Sequence, residues 1–457
     1  MIEKKWMLFA IVYSIAHTIL IYAAQAAATP QGMVYINSRP DEMITQASMA
    51  AYKFGFLHPY VPGNTLVFAD PVMGSVYIFT VLGLLPNSLW AIAAMRFVLL
   101  LFYIIAAMLL IQLFSNNNRQ RNVTIIIFFL VLSSFGVMNF WNDLRPSWFQ
   151  FESGYGHLGV ASQLYYPVVL GAGYAALWAL AQRRIWLATA LLAVGIVAHP
   201  QIGIVIWVVA AAYTLYVQGR FEWRLILAAA AAGLLWVVPI ALNTTMFQQY
   251  SMYYYSDHID FDQFLFSYGL LVVLALAGLV HVALERPLNK TGIFIGTWFV
   301  ALTLLVIAGW FFPSRLVLMI MLPAAILSGR ILSNARYYYV VLALLLAVSI
   351  PAHIDQFQLH VKQAVYISED DTEAFDALRV MPNGMVLAPP DIARFVPVLA
   401  EKRAAFGRWP IPDSQAEYQH VLQSVSARKN YSYIMTREPL DLPVLYNGSI
   451  KIYGVEK

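Results

Sequence analysis

Ser38-Arg39-Pro40-Asp41-Glu42-Met43 comes shortly after the first long apolar run of the chain, residues 6–25, and opens a stretch that lasts until the next such run begins near residue 88. Both flanking runs approach the roughly 20 residues that a helix needs to cross a bilayer core. Working outward, the pattern repeats near residues 123–139, 164–181, 185–199, 201–217, 225–242, 265–284, 292–311, 316–328 and 337–351. Composition agrees: 60% of the chain is hydrophobic, 11% is charged and the mean hydropathy is +0.66, values that would leave a water-soluble domain covered in exposed apolar patches. The sequence predicts an all-α polytopic membrane bundle of about eleven transmembrane helices.

Orientation follows from Lys and Arg, which short cytoplasmic loops retain. Lys4 and Lys5 precede the first run, and Arg119 with Arg121, Arg183 with Arg184, Arg220 with Arg224, Arg286 with Lys290, and Arg330 with Arg336 follow every second run thereafter. This predicts a cytoplasmic N-terminus in the inner membrane and, with an odd number of spans, an extracytoplasmic C-terminal part. The net charge of +4 is explained by these loops, so no nucleic-acid partner is inferred. Met1 to Ala28 also has the basic start, apolar core and small-residue end of a secretory signal, but its apolar run is nearer span length, which predicts an uncleaved anchor. With no cysteine in the chain, disulfides, thiolate zinc sites and cysteine nucleophiles are excluded.

The expected organisation is a membrane domain over residues 1–350 and an extracytoplasmic α/β domain over residues 351–457. In the first outer loop, residues 26–87, Asp41–Phe54 and Asp70–Leu85 read as two helices lying along the interface, joined through the turn-forming His58-Pro59-Tyr60-Val61-Pro62-Gly63. In the terminal part, helical patterns at Asp371–Val380, Asp391–Glu401 and Gln415–Ser426 alternate with strand-like Gly384–Ala388, Arg403–Phe406 and Tyr431–Met435. A final hairpin, Val444–Tyr453, turns through Asn447-Gly448. No glycine-rich phosphate loop occurs there, so nucleotide binding has no support.

Candidate chemistry lines the outward face. Asp41 and Glu42 begin an interfacial helix, where the helix dipole favours acids even without a function. Read functionally, one carboxylate takes the proton of an incoming acceptor, and the neighbouring acid raises a pKa or helps hold a divalent cation. Asp70, opening the second helix in Phe68-Ala69-Asp70-Pro71, completes an acidic pocket or simply starts a helix. A divalent metal ion on Asp41 and Asp70 is the one cofactor these residues suggest. Arg315, after Gly309-Trp310-Phe311-Phe312-Pro313-Ser314, and Arg145, in Asn142-Asp143-Leu144-Arg145-Pro146, are outward cations with the guanidinium fork that suits phosphate. Arg96 lies inside the second span, where it either pairs with a loop acid or snorkels to the surface. His58, His157, His199 and Tyr254 are acceptor or pocket candidates; the histidines lack the helical partner spacing of a metal site, and the Tyr253-Tyr254-Tyr255 run also reads as an interfacial anchor.

Pro40-Asp41-Glu42, Asp70-Pro71 and Arg96-Phe97, in this order, resemble the glycosyltransferase-C superfamily, above all protein O-mannosyltransferases and the aminoarabinose transferase that modifies lipid A. Motifs carry the likeness over roughly the first 115 residues and topology carries it beyond. The resemblance implies a GT-C type fold and transfer of a sugar from a polyprenyl-phosphate donor to an extracytoplasmic glycan, lipid or protein. It further implies that Asp41 is the catalytic carboxylate, with Asp70 as its acidic companion. No Trp-Trp-Asp occurs, which argues against transfer to asparagine. Two other classes share the polytopic pattern: a polymerase or ligase acting on lipid-diphosphate donors, expected to carry its large outer loop between late spans, and a lipid or sugar transporter, expected to show repeated halves.

Overall fold

The structure is a computed structural model that describes residues 2–37, 89–130, 165–230, 261–285, 289–309, 313–362, 364–393, 395–405 and 414–455. The chain falls into two compact units, one of Met1–Ile19, Met95–Asn243 and Tyr250–Leu359, the other of Leu20–Ala94, Thr244–Gln249 and His360–Lys457.

The first apolar run forms two helices rather than one, α1 (Lys4–His17) and α2 (Ile19–Ala27). The break falls at Thr18, whose backbone leaves the helical region (φ −129°, ψ −81°) and whose hydroxyl donates to the Ser14 carbonyl at 2.5 Å. A threonine that bonds back one turn offers the backbone an alternative to the regular ladder, and helices bend or break there. After β1 (Met33–Asn37) the described helices are α3 (Leu89–Phe114), α4 (Asn118–Leu130), α5 (Tyr165–Ala181), α6 (Ile185–Ala198), α7 (Pro200–Tyr216), α8 (Phe261–Leu284), α9 (Lys290–Ile307), α10 (Pro313–Asn334) and α11 (Tyr338–Lys362). Among the described residues four stretches are long and apolar enough to cross a bilayer, Lys4–Ala27, Ile92–Phe114, Lys290–Ile307 and Leu316–Asn334; further apolar helices are shorter. The chain is a multi-pass membrane protein.

Within the first unit α10 is the central element: its apolar stretch is almost wholly buried, with α4, α8 and α9 against it. Apolar side chains gain little by leaving lipid for one another, so close backbone approach has to supply the attraction. Glycines provide it. A Cβ at Gly278 would stand 2.2 Å from the Leu327 carbonyl oxygen, one at Gly329 2.0 Å from the Thr124 hydroxyl, and one at Gly203 2.4 Å from the Ile196 Cα. The opposite face of α8 exposes Val273, Leu276, Val280 and Leu284, a stripe suited to lipid.

The basic loops of this unit are tied to one another. Arg121 pairs with Glu3, and Trp6 Nε1 donates to Asn122 at 3.0 Å. Arg119 donates to the Ala335 carbonyl at 2.9 Å with its guanidinium 4.0 Å from the centre of the Tyr338 ring. Arg330, buried, grips both carboxylate oxygens of Glu285. The N-terminus and the segments at Arg119–Arg121, Glu285 and Arg330–Tyr338 therefore meet at one end of the unit.

In the second unit β1 pairs antiparallel with β2 (Val365–Ser368), Met33 opposite Ser368 and Tyr35 opposite Tyr366, with an irregularity between Tyr35 and Asn37. There follow α12 (Glu369–Val380), β3 (Met385–Leu387), α13 (Pro390–Ala393), a π-helical turn (Val396–Ala400), β4 (Arg403–Ala404), α14 (Ser414–Gln423), α15 (Val425–Arg428), β5 (Tyr433–Thr436), β6 (Val444–Asn447) and β7 (Lys451–Gly454). The strands form one mixed sheet in the order β4-β3-β5-β7-β6, parallel at β4-β3-β5 and antiparallel beyond. α12 begins with Glu369, Asp370 and Asp371, where the dipole favours acids, and turns Ala374, Phe375 and Leu378 into the core against Val386, Ile434 and Ile452.

Two local expectations are corrected. The helix foreseen over Asp391–Glu401 is split into α13 and the π turn, because Pro397 has no N–H to donate and Glu401 closes the turn in the left-handed region (φ 58°). The hairpin turns through three residues, Gly448-Ser449-Ile450, since Asn447 pairs with Lys451. Fully burying Ile450 and hydrogen-bonding Ser449 to Asp371 at 2.8 Å favour the wider turn.

Candidate active site

The segment that carries Asp41 follows β1 in sequence, and β1 is held from α2. On α2 the buried residues are Ile21, Tyr22 and Gln25. An amide buried in an apolar helix must find partners. The Gln25 side chain accepts from Tyr35 Oη at 2.6 Å and donates Nε2 to the His360 carbonyl at 2.6 Å, while its backbone carbonyl accepts from Tyr366 Oη at 3.0 Å. The two tyrosines face each other across β1 and β2 with ring centres 5.8 Å apart. Burial raises the Tyr366 phenol above its usual range, which keeps it a neutral donor. At the other end of the strand the Glu369 N–H donates to the Gly32 carbonyl at 3.0 Å, and Gly32 turns the chain into β1 at φ +72°.

Of the residues singled out in the sequence, Asp41, Glu42, Asp70, His58, Arg145, His157 and Tyr254 lie outside the described residues. So do both interfacial helices of the first outer loop. Arg96 lies two turns into α3 and is 5% exposed, a buried cation rather than one reaching the surface by snorkelling. His199 is fully buried and caps α7, its Nδ1 accepting from the Ile202 N–H at 3.4 Å beside the Tyr166 ring. That bond satisfies one of the open N–H groups at the start of α7. Arg315 falls in the first turn of α10, which Pro313 opens.

Sequence reasoning passed over a second polar group. His17, the last residue of α1, stacks on Tyr13 with ring centres 3.8 Å apart, and its ring centre is 6.5 Å from that of His353 on α11. His17 Nδ1 meets the Tyr13 carbonyl at 2.9 Å and His353 Nε2 the Leu130 carbonyl at 3.0 Å. Carbonyls only accept, so both nitrogens carry the proton. The signal was available: histidine, glutamine, serine and threonine inside an apolar run are costly there and mark structure or function. Among the described residues no group of three or more His, Cys, Asp or Glu stands ready for a metal ion.

Two solved forms of the Archaeoglobus fulgidus oligosaccharyltransferase are similar to this chain. The apo form aligns with a TM-score of 0.54 at 11% identity over 94% of this chain and 69% of that one. The complex with Zn and sulfate aligns with a TM-score of 0.52 at 12% identity over 94% and 67%. The fold is of the GT-C type. No family model and no curated protein matches the chain by sequence. The shared fold is thus carried by architecture at very low identity.

Proposed function

We propose that this chain is an integral membrane glycosyltransferase that moves a sugar from a polyprenyl-phosphate donor to an acceptor glycan, lipid or protein on the extracytoplasmic side, inverting the sugar carbon. The observation that carries the reading is the GT-C type fold found along 94% of the chain. The similar structures belong to an oligosaccharyltransferase, which supports glycosyl transfer as the reaction class. The chain itself has no Trp-Trp-Asp, so asparagine is not the acceptor in this reading.

In the proposed reaction Asp41 takes the proton of the acceptor hydroxyl or amine as that atom attacks the sugar carbon. The bond from that carbon to the donor oxygen breaks, and its electron pair leaves on the polyprenyl phosphate. Attack opposite the leaving group inverts the centre. Arg315 or Arg145 meets the developing phosphate charge, with Arg96 as the third candidate, and Glu42 and Asp70 shape the field around Asp41. Asp41 and Asp70 are hard-oxygen donors of the kind a divalent cation takes, and the Zn and sulfate complex of the similar enzyme supports that option. His58, His157 and Tyr254 belong to the acceptor side in this reading. Residues 1–350 act as the membrane catalytic domain and residues 351–457 as an extracytoplasmic domain beside the acceptor route; the inner membrane holds the whole.

Asp41→Asn tests the assignment in proteoliposomes supplied with a panel of polyprenyl-phosphate hexoses and pentoses and an envelope extract as acceptor. Release of polyprenyl phosphate is expected to fall by about 10²- to 10⁴-fold with membrane insertion unchanged. An active Asp41→Asn enzyme rejects Asp41 as the base, and movement of intact donor without release points to a transporter.

A further inference from the structure

Two membrane helices of the first unit leave an open furrow between them. α8 and α9 border a cavity of about 370 Å³ whose lining includes Leu279 and Ala283 of α8 and Gly296, Thr297, Ala301 and Leu304 of α9. That volume falls in the roughly 300–1,000 Å³ of small-molecule sites. Gly296, Ala283 and Ala301 carry no side chain long enough to fill the space, and the Thr297 hydroxyl is the one polar side-chain group in the lining. A furrow this apolar suits a hydrocarbon chain.

Charge stands at one end of it. At 3.6 residues per turn, positions 290, 297, 301 and 304 lie within about 60° of one another, so the exposed stripe Thr297, Ala301 and Leu304 leads along α9 to exposed Lys290. Among the described residues no acid pairs with Lys290, because the nearby Glu285 is gripped by Arg330. Arg330 Nη1 also lies 2.7 Å from where a Cβ on Gly292 would stand, which sets a second cation against the first turn of α9. From Lys290 to Leu304 the helix rises about 21 Å, which matches one leaflet: about 15 Å of hydrocarbon plus a headgroup layer.

We propose that the furrow between α8 and α9, together with Lys290, binds one anionic phospholipid, with an acyl chain in the furrow and the headgroup phosphate at Lys290. The length of the stripe favours a phospholipid over the long tail of a polyprenyl phosphate, and the cations favour a headgroup with net negative charge. The site lies wholly within the first unit and does not depend on the transferase reading.

The test uses the full chain, delipidated in non-ionic detergent, with phosphatidylglycerol, phosphatidylcholine and undecaprenyl phosphate added one at a time and then in competition. Native mass spectrometry counts retained lipid, and the melting temperature is followed against lipid concentration. The wild type is expected to retain one phosphatidylglycerol and to melt higher as its concentration rises. Lys290→Gln should weaken phosphatidylglycerol about five-fold and leave phosphatidylcholine unchanged. Ala301→Phe fills the furrow from an exposed position and should abolish retention; Ala283→Phe, on the facing helix, repeats the test should the first variant melt lower without lipid. Equal stabilisation of the wild type and all three variants, or phosphatidylcholine bound as tightly as phosphatidylglycerol, overturns the site. Displacement of phosphatidylglycerol by equimolar undecaprenyl phosphate also overturns it and gives the furrow to a polyprenyl chain.

Discussion

Tyr418 shows how a single buried group ties the terminal sheet to pH. Its hydroxyl donates to the Met435 carbonyl at 3.0 Å and the side chain is 3% exposed. Burial pushes the phenol from 10.0 up to about 12. The native state therefore keeps a proton that the unfolded chain gives up near pH 10, so this stabilisation is complete below pH 10 and is lost as pH rises toward about 12. The amount at stake is on the order of 2–3 kcal/mol. Thermal melts followed between about pH 9 and pH 12 should show Tyr418→Phe with a flatter alkaline limb than the wild type, and parallel limbs would contradict this account. At the same scale, Arg330 was legible in the sequence only as one of the positive charges that orient the chain. Its bidentate grip on Glu285 is a contact between residues 45 positions apart, which no local pattern announces.

Helices were legible as apolar runs because lipid demands a continuous apolar surface over a fixed length. Their true ends were less so. The run that fades near Ile350 continues as α11 to Lys362, since hydropathy marks where apolar side chains stop and not where backbone hydrogen bonding stops. The break at Thr18 is set by one hydroxyl, and β1 exists through a partner strand more than 300 residues downstream; composition cannot register either. Glycine packing is likewise invisible in hydropathy, yet it dictates how closely α8 and α10 approach. Gly278→Ala places a methyl group where the Leu327 backbone stands, and backbone cannot swing aside as a side-chain tip can. Overpacking of this kind costs roughly 1–3 kcal/mol. The melting temperature in detergent should fall accordingly. Gly219→Ala, in open space but at φ +75°, tests backbone strain separately from packing. An unshifted melt for Gly278→Ala would mean that the two helices are held by something other than this contact.

For the molecule as a whole, charge pattern and reaction make one joint demand. The transferase reading requires Asp41 on the extracytoplasmic side, and the alternating basic loops put it there only if the N-terminus and every second loop are cytoplasmic. The ties among Glu3, Arg121, Arg119, Ala335 and Tyr338 support one half of that demand, because they gather three of those loops at one end of their unit. The other half, the side of the membrane that this end faces, is read by labelling. A cysteine-free chain makes the question direct. Asn118→Cys, exposed at the start of α4, should resist a membrane-impermeant maleimide in intact cells and react after permeabilisation. Asp441→Cys, exposed ahead of β6, should react in intact cells. If the two labels exchange, the acidic segment faces the cytosol and a lipid-linked donor presented on the outer leaflet never meets it. If both react in intact cells, the loops do not alternate across the membrane and the charge argument fails with them.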